Sequence, residues 1–140
     1  MAKIARFEDI EAWKASRSLA RLVYEMTSCG EWARDFGLRD QIRRAAVSVM
    51  SNIAEGFDRQ GDAEFRRFLA MAKGSAAEVK SQLYLATDLG YLKAEASQAA
   101  LDQTDTLCRM LGSFMSYLRS SQDTVTRRRG DSPTRRPEDS

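Results

Sequence analysis

Histidine is missing from all 140 residues. That removes the commonest general base and the Ser-His and Cys-His nucleophile pairs. It also removes the Glu-x-x-His ligand pairs of di-iron helical proteins. Cysteine is scarce: Cys29 and Cys108 stand far apart, form neither a zinc pattern nor a disulfide framework, and read as small buried or half-buried side chains. Proline occurs only at Pro133 and Pro137, and the eight glycines are thinly spread. A chain so poor in breakers favours long helices. No run approaches the roughly 18 apolar residues of a membrane span, and the first residues lack the apolar stretch of a signal peptide. The expected location is the cytoplasm, with no membrane contact. Walker and dinucleotide glycine patterns are absent, so no cofactor and no metal are expected.

What remains is an ordinary globular composition, 43% hydrophobic and 30% charged, of a length suited to one core. Apolar residues recur at helical spacing in four long stretches. The first begins near Glu8-Asp9 and ends by Cys29-Gly30, with Ala12, Ala15, Leu19, Leu22, Val23 and Met26 on its core side. The second covers about 38–59, with Ile42, Ala46, Val49, Met50, Ile53 and Phe57 inward. The third covers about 63–89, with Asp62 as its N-cap. Phe65, Phe68, Leu69, Ala72, Ala76, Val79, Leu83 and Ala86 lie close to one line along it. The fourth covers about 94–119. Residues 31–37 read as a connection, with Trp32 and Phe36 folded over one end. The expected fold is all-α: an antiparallel up-down-up-down four-helix bundle over residues 1–120. A polar, basic, disordered tail is expected over 121–140.

The polar side of the second stretch is unusual. Ser48, Ser51 and Asn52 sit where a merely solvated face would carry Lys, Glu or Gln, and each costs roughly half a kcal/mol in helix propensity. Ser75, Glu78 and Gln82 flank the core line of the third stretch. Beside them Ala70, Gly74, Ala77 and Ser81 form a small-residue line that admits a close neighbour. We expect Arg44, Ser48, Ser51, Asn52, Glu55, Ser75, Glu78 and Gln82 to form a polar network or subunit interface, with Arg44, Asn52, Glu55 and Glu78 bonded together. Trp13 and Tyr24 share a second stripe on the first helix and are candidate interface aromatics. Glu55 and Glu78 are the only acids set among uncharged polar neighbours. Nothing around them marks a hydrolase site, and no catalytic residue is assigned.

Net charge is only +2, so nucleic-acid binding must rest on local clusters. Arg39, Arg43 and Arg44 group on the second helix, and Arg59, Arg66, Arg67 and Lys73 flank the turn that follows it. These seven are the candidate nucleic-acid residues. Asp40, Asp58, Asp62 and Glu64 are interleaved with them, so one copy alone reads as a mixed-charge surface. Repetition around a symmetry axis would strengthen it.

Several runs then carry a resemblance: Phe7-Glu8-Asp9-Ile10-x-x-Trp13, Gly37-Leu38-x-x-Gln41-x-x-Arg44-Ala45-x-x-Ser48, Ser51-Asn52-Ile53-Ala54-Glu55-Gly56, Glu64-Phe65-x-x-Phe68-Leu69-x-x-Ala72-x-Gly74-Ser75-x-x-Glu78, and Leu89-Gly90-Tyr91. Over roughly residues 7–118 the chain resembles the four helix bundle proteins, also called rRNA intervening-sequence proteins. The resemblance implies a homopentameric ring and no known catalysis. Relatives include the accessory protein of diversity-generating retroelements, a basic pentamer that binds a reverse transcriptase and its template RNA. The near-neutral charge of this chain departs from that branch. The expectation is a non-enzymatic, ring-forming scaffold that binds RNA or an RNA–protein assembly. The alternatives are a purely structural or protein-binding oligomer and a retroelement accessory subunit.

Overall fold

The protein is described by a computed structural model, which covers the backbone of residues 4–130 and the side chains of residues 4–120. A 3-10 turn, Phe7–Asp9, precedes five α-helices: α1 (Glu11–Met26), α2 (Gly30–Arg34), α3 (Phe36–Phe57), α4 (Asp62–Asp88) and α5 (Ala94–Gly130). The expected four-helix bundle is therefore corrected to a five-helix fold. The additional helix, α2, occupies the stretch read as a connection. Five residues are too few to display a 3.6-residue period, so pattern reading passes over such a turn. Burial holds it in place: Trp32 is 1% exposed, and its ring stacks on Tyr91 with centroids 6.0 Å apart. Phe36, expected beside it, is instead 62% exposed, with the Arg39 guanidinium 4.6 Å over its ring.

The last helix, α5, continues past Arg119, where its apolar period stops, to Gly130. Residues 120–129 contain neither proline nor glycine. Losing the apolar period removes a packing partner but leaves the backbone free to continue its own hydrogen bonds. Residues 131–140 of the expected tail lie outside the described residues.

The eight-residue core line read on α4, from Phe65 to Ala86, is buried throughout. It packs against α3 on one side and α5 on the other, while α1 packs against α3 and α5. So α1 and α4 occupy diagonal corners. Cross-contacts give the directions. Gln41 meets Gln82 and Ser48 meets Ser75, so α3 and α4 run antiparallel. Lys80 pairs with Asp105 and Phe65 meets Phe114, so α4 and α5 do as well.

Two glycines set the geometry. At Gly56 an added Cβ would lie 2.5 Å from the Cβ of Phe68 and 3.0 Å from Phe65, so the α3–α4 crossing is closed against any side chain there. Gly90, at φ +79°, ends α4. The Tyr91 amide bonds the Ala86 carbonyl at 2.9 Å and the Gly90 amide bonds Thr87 at 3.0 Å, the paired closure of a Schellman cap. Gly30 does not cap α1, which stops earlier, at Met26. The buried Thr27 hydroxyl donates to the Val23 carbonyl at 2.8 Å and terminates the helix there. Asp62 is the first residue of α4 and not its cap. The side chain that caps a helix is Asp35, which accepts from the Leu38 amide at 3.2 Å and begins α3.

Candidate functional site

The polar stripes of α3 and α4 meet along their shared seam. Asn52 Nδ2 donates to the Ser48 carbonyl at 2.9 Å and to Ser48 Oγ at 3.1 Å. Ser48 Oγ lies 2.9 Å from Ser75 Oγ. Ser48 Oγ thus accepts from Asn52 and shares a hydrogen bond with Ser75, in which either hydroxyl can donate, so one relay runs from α3 to α4. Asn52 and Ser75 are buried. A buried amide without partners would cost about 1–3 kcal/mol, and the relay meets that requirement locally. The helix-unfriendly residues of the stripe thus lock a seam.

The rest of the expected network does not converge. Glu55 is exposed and pairs with Arg59 one turn along at 3.1 Å. Ser51 is exposed. Arg44 and Glu78 line a groove of about 480 Å³ together with Gln41, Ser48, Ser75 and Gln82. Gln82 Nε2 makes a long 3.4 Å contact with Gln41 Oε1, while its own Oε1 is buried without a hydrogen-bond partner. The groove holds a cation and an anion on one outward-facing edge, with the unmatched acceptor buried in its wall.

Next to the groove, the outer side of α4 is uncovered. Met71, Tyr84, Leu85 and Leu89 are 47–53% exposed. Ala70, Gly74, Ala77 and Ser81 are exposed between them. A Cβ built on Gly74 meets nothing within 4 Å. The small-residue line read from the sequence has no neighbour inside this chain.

Most of the candidate nucleic-acid cations are engaged within the fold. Arg39 bonds Asp40 at 2.9 Å and the Ala33 carbonyl at 3.1 Å. Arg43 Nε donates to Thr27 Oγ1 at 2.7 Å, with its guanidinium 4.5 Å over Tyr24, so it ties the end of α1 to α3. Arg59 holds Glu55 and lies over Phe68, and Arg67 holds Glu64 and shares that ring. Arg66 has interactions of its own. Lys73 runs beside Gly112 of α5. Arg44 alone of the α3 trio faces the groove unpaired.

Trp13 is half-buried, edge-on to Phe7 at 5.2 Å, and Tyr24 is 44% exposed. Between them the sequence reading passed over a set of cations. Lys14, Arg17 and Arg21 line a groove of about 490 Å³ with Ser18, Leu22, Glu25 and the α5 residue Gln103. Their spacing of i, i+3 and i+7 was the available signal. Clustering along the chain favoured the denser arginine groups of α3 and hid it.

Three titrating groups are displaced, all away from these grooves. Tyr91 donates to Asp35 at 2.8 Å, and that bond pushes its phenol above the ordinary value. Lys80 is raised by its 2.8 Å bond to Asp105. Burial pushes the Cys108 thiol up. Among the described residues no three Asp, Glu or Cys side chains gather as a metal-ligand set, and no helix is long and apolar enough to cross a membrane.

A protein-family model described as 23S rRNA-intervening sequence protein matches residues 8–113. Among solved structures, the chain is similar to a protein of unknown function from the S23 ribosomal protein family of Bacteroides thetaiotaomicron VPI-5482. The two share 24% identity over 74% of this chain and 97% of the other, with a TM-score of 0.67. At that identity the likeness carries the fold alone. No curated protein matches.

Proposed function

The chain belongs to the 23S rRNA-intervening sequence protein family, and from that premise we propose a non-catalytic scaffold that assembles with copies of itself and holds RNA or an RNA–protein assembly. The observation that carries the reading is the uncovered side of α4. Burying a large apolar side chain contributes roughly 1.5–3 kcal/mol, yet Met71, Leu85 and Leu89 leave that gain unused in a single chain. Contiguous apolar surface of this kind marks an interaction site. Gly74 and its small neighbours let another backbone approach closely. The adjoining groove supplies Arg44 and Glu78 as polar partners at its rim.

A contact through one face of α4 onto a different face of the next copy is heterologous, and such contacts form a ring when the rotation between copies closes. Five copies is the number the resemblance implies. The absence of histidine supports a role without acid–base chemistry. A net charge of +2 gives no support to the strongly basic ring of a retroelement accessory subunit.

Light-scattering mass over a concentration series tests the reading. The expected mass is a fixed multiple of the 15.8 kDa chain. A single-chain mass at every concentration would overturn it.

A further inference from the structure

We propose that the outward face of α1 is where the scaffold grips RNA. Lys14, Arg17, Arg21 and Ser18 would contact the phosphodiester backbone of a single strand, with Trp13 and Tyr24 flanking it as base-stacking surfaces. This deepens the RNA part of the function proposed above and rests on it.

Charge is the first ground. Three cations occupy one side of a 16-residue helix within a span of about 10 Å at 1.5 Å per residue. They are less committed than the arginines of α3 and α4. Lys14 reaches Glu11 only at 3.3 Å, in an exposed pair, and such pairs are worth little. Arg17 lies 5.7 Å over the Trp13 ring. That contact uses the face of the guanidinium and leaves its N–H edge directed outward for a phosphate. Arg21 is exposed and has no ion-pair partner among the described residues.

Shape and hydrogen bonding are the second ground. The groove runs between α1 and α5, and Gln103 Nε2 donates to Ser18 Oγ at 3.2 Å across it. Ser18 Oγ acts as acceptor toward that amide, so its hydroxyl hydrogen is available to donate to an anionic oxygen. The groove is open and polar, whereas pockets for small molecules are enclosed and mostly apolar. It suits a chain lying along the helix. Glu11 and Glu25 stand near its two ends and limit the favourable stretch to about two turns of α1.

The aromatics choose the polymer. Trp13 sits at one end of the cation row and Tyr24 at the other, with Arg43 4.5 Å over the Tyr24 ring. Rings interleaved with cations hold unpaired bases and phosphates together. A duplex keeps its bases stacked on each other and offers them nothing.

Location is the last ground. Because α1 and α4 are diagonal, a strand on α1 leaves the uncovered side of α4 free for the next copy. Repetition around an assembly would then line up identical grips along one strand.

The test is fluorescence anisotropy of a labelled single-stranded RNA of mixed sequence, titrated with the full chain over a salt series. The native chain is compared with Lys14→Gln/Arg17→Gln/Arg21→Gln and with Arg59→Gln/Arg67→Gln, whose arginines pair with Glu55 and Glu64 away from both grooves, after circular dichroism and mass confirm unchanged fold and assembly. The α1 variant should weaken binding at least about tenfold. Its plot of log affinity against log salt should flatten by about 2, at about 0.7 per phosphate released from a single strand. The Arg59/Arg67 variant should stay within about threefold of native, since the site contains neither residue. Arg21→Gln alone, at an exposed unpaired side chain, gives the same direction at about threefold if the triple variant folds poorly. Native binding that survives both α1 variants with an unchanged salt slope would overturn the α1 site and leave the RNA reading standing. A native chain that binds no RNA at low salt would overturn both.

Discussion

The outward sides of α1 and α4 sit on diagonal corners of one fold and differ in kind. Along α1 the exposed residues are Glu11, Lys14, Arg17, Ser18, Arg21, Tyr24 and Glu25. Along the corresponding length of α4 they are Ala70, Met71, Gly74, Ala77, Ser81, Tyr84 and Leu85, with Lys73 and Glu78 as the charges among them. Both helices bury a full core stripe, so core packing does not set the contrast. A charged face costs nothing to leave in water and draws a polyanion. A face of small and apolar residues gains only when another surface covers it. One fold thus presents two different outward chemistries, and we assign them to RNA and to self-association.

Breaking the inner side of α4 provides the reference effect. Gly56→Ala places a methyl 2.5 Å from Phe68, so α3 and α4 must part. The expected loss is about 1–3 kcal/mol, read as a lower midpoint in urea, with assembly failing as a consequence.

Asp35→Ala removes both the α3 cap and the acceptor of the Tyr91 bond. It should cost about 1–2 kcal/mol in chemical denaturation without touching either outward face. The same pair sets an alkaline limit. The bond to Asp35 holds the Tyr91 phenol above its ordinary value. Its contribution is therefore complete below that value and is lost as pH rises through the higher folded pKa. Tyr91→Phe should flatten that alkaline decline in a urea series run across pH.

Gly74→Ala sharpens the comparison by its sign. With no neighbour within 4 Å, the added methyl should stabilise the fold by about 0.5–1 kcal/mol through helix propensity. It should also weaken association, because the methyl intrudes on the close approach. Stability and assembly would move in opposite directions, visible in a dilution series monitored by mass and by melting. The smallest effect belongs to the α1 glutamine variant, whose stability should stay within about 0.5 kcal/mol of native.

Much of this was legible in the sequence where the signal was a repeated apolar spacing. The line from Phe65 to Ala86 lies inward as read, and the small-residue line beside it lies outward. Three features were not legible. Residues 30–34 form a helix too short to show a period, held by the burial of Trp32 against Tyr91. Residues 120–130 continue α5 without any apolar pattern. The arginines of α3 look alike along the chain, yet Arg43 turns back to Thr27 while Arg44 stays unpaired, and that choice depends on where α1 ends. Ser48, Asn52 and Ser75 were recognised as misplaced for a wet face, but their joining across one seam required the α3–α4 register. Glu55, drawn into the same expected network, instead pairs with Arg59.

Sedimentation velocity of the native chain beside Gly74→Arg tests the central claim most directly, because that guanidinium would project from the uncovered side of α4 without touching the core. The account predicts a native assembly of several chains and a folded single-chain variant whose urea midpoint is no lower than native once concentration is matched below assembly. A native chain sedimenting alone, or a variant assembling as the native chain does, would contradict it.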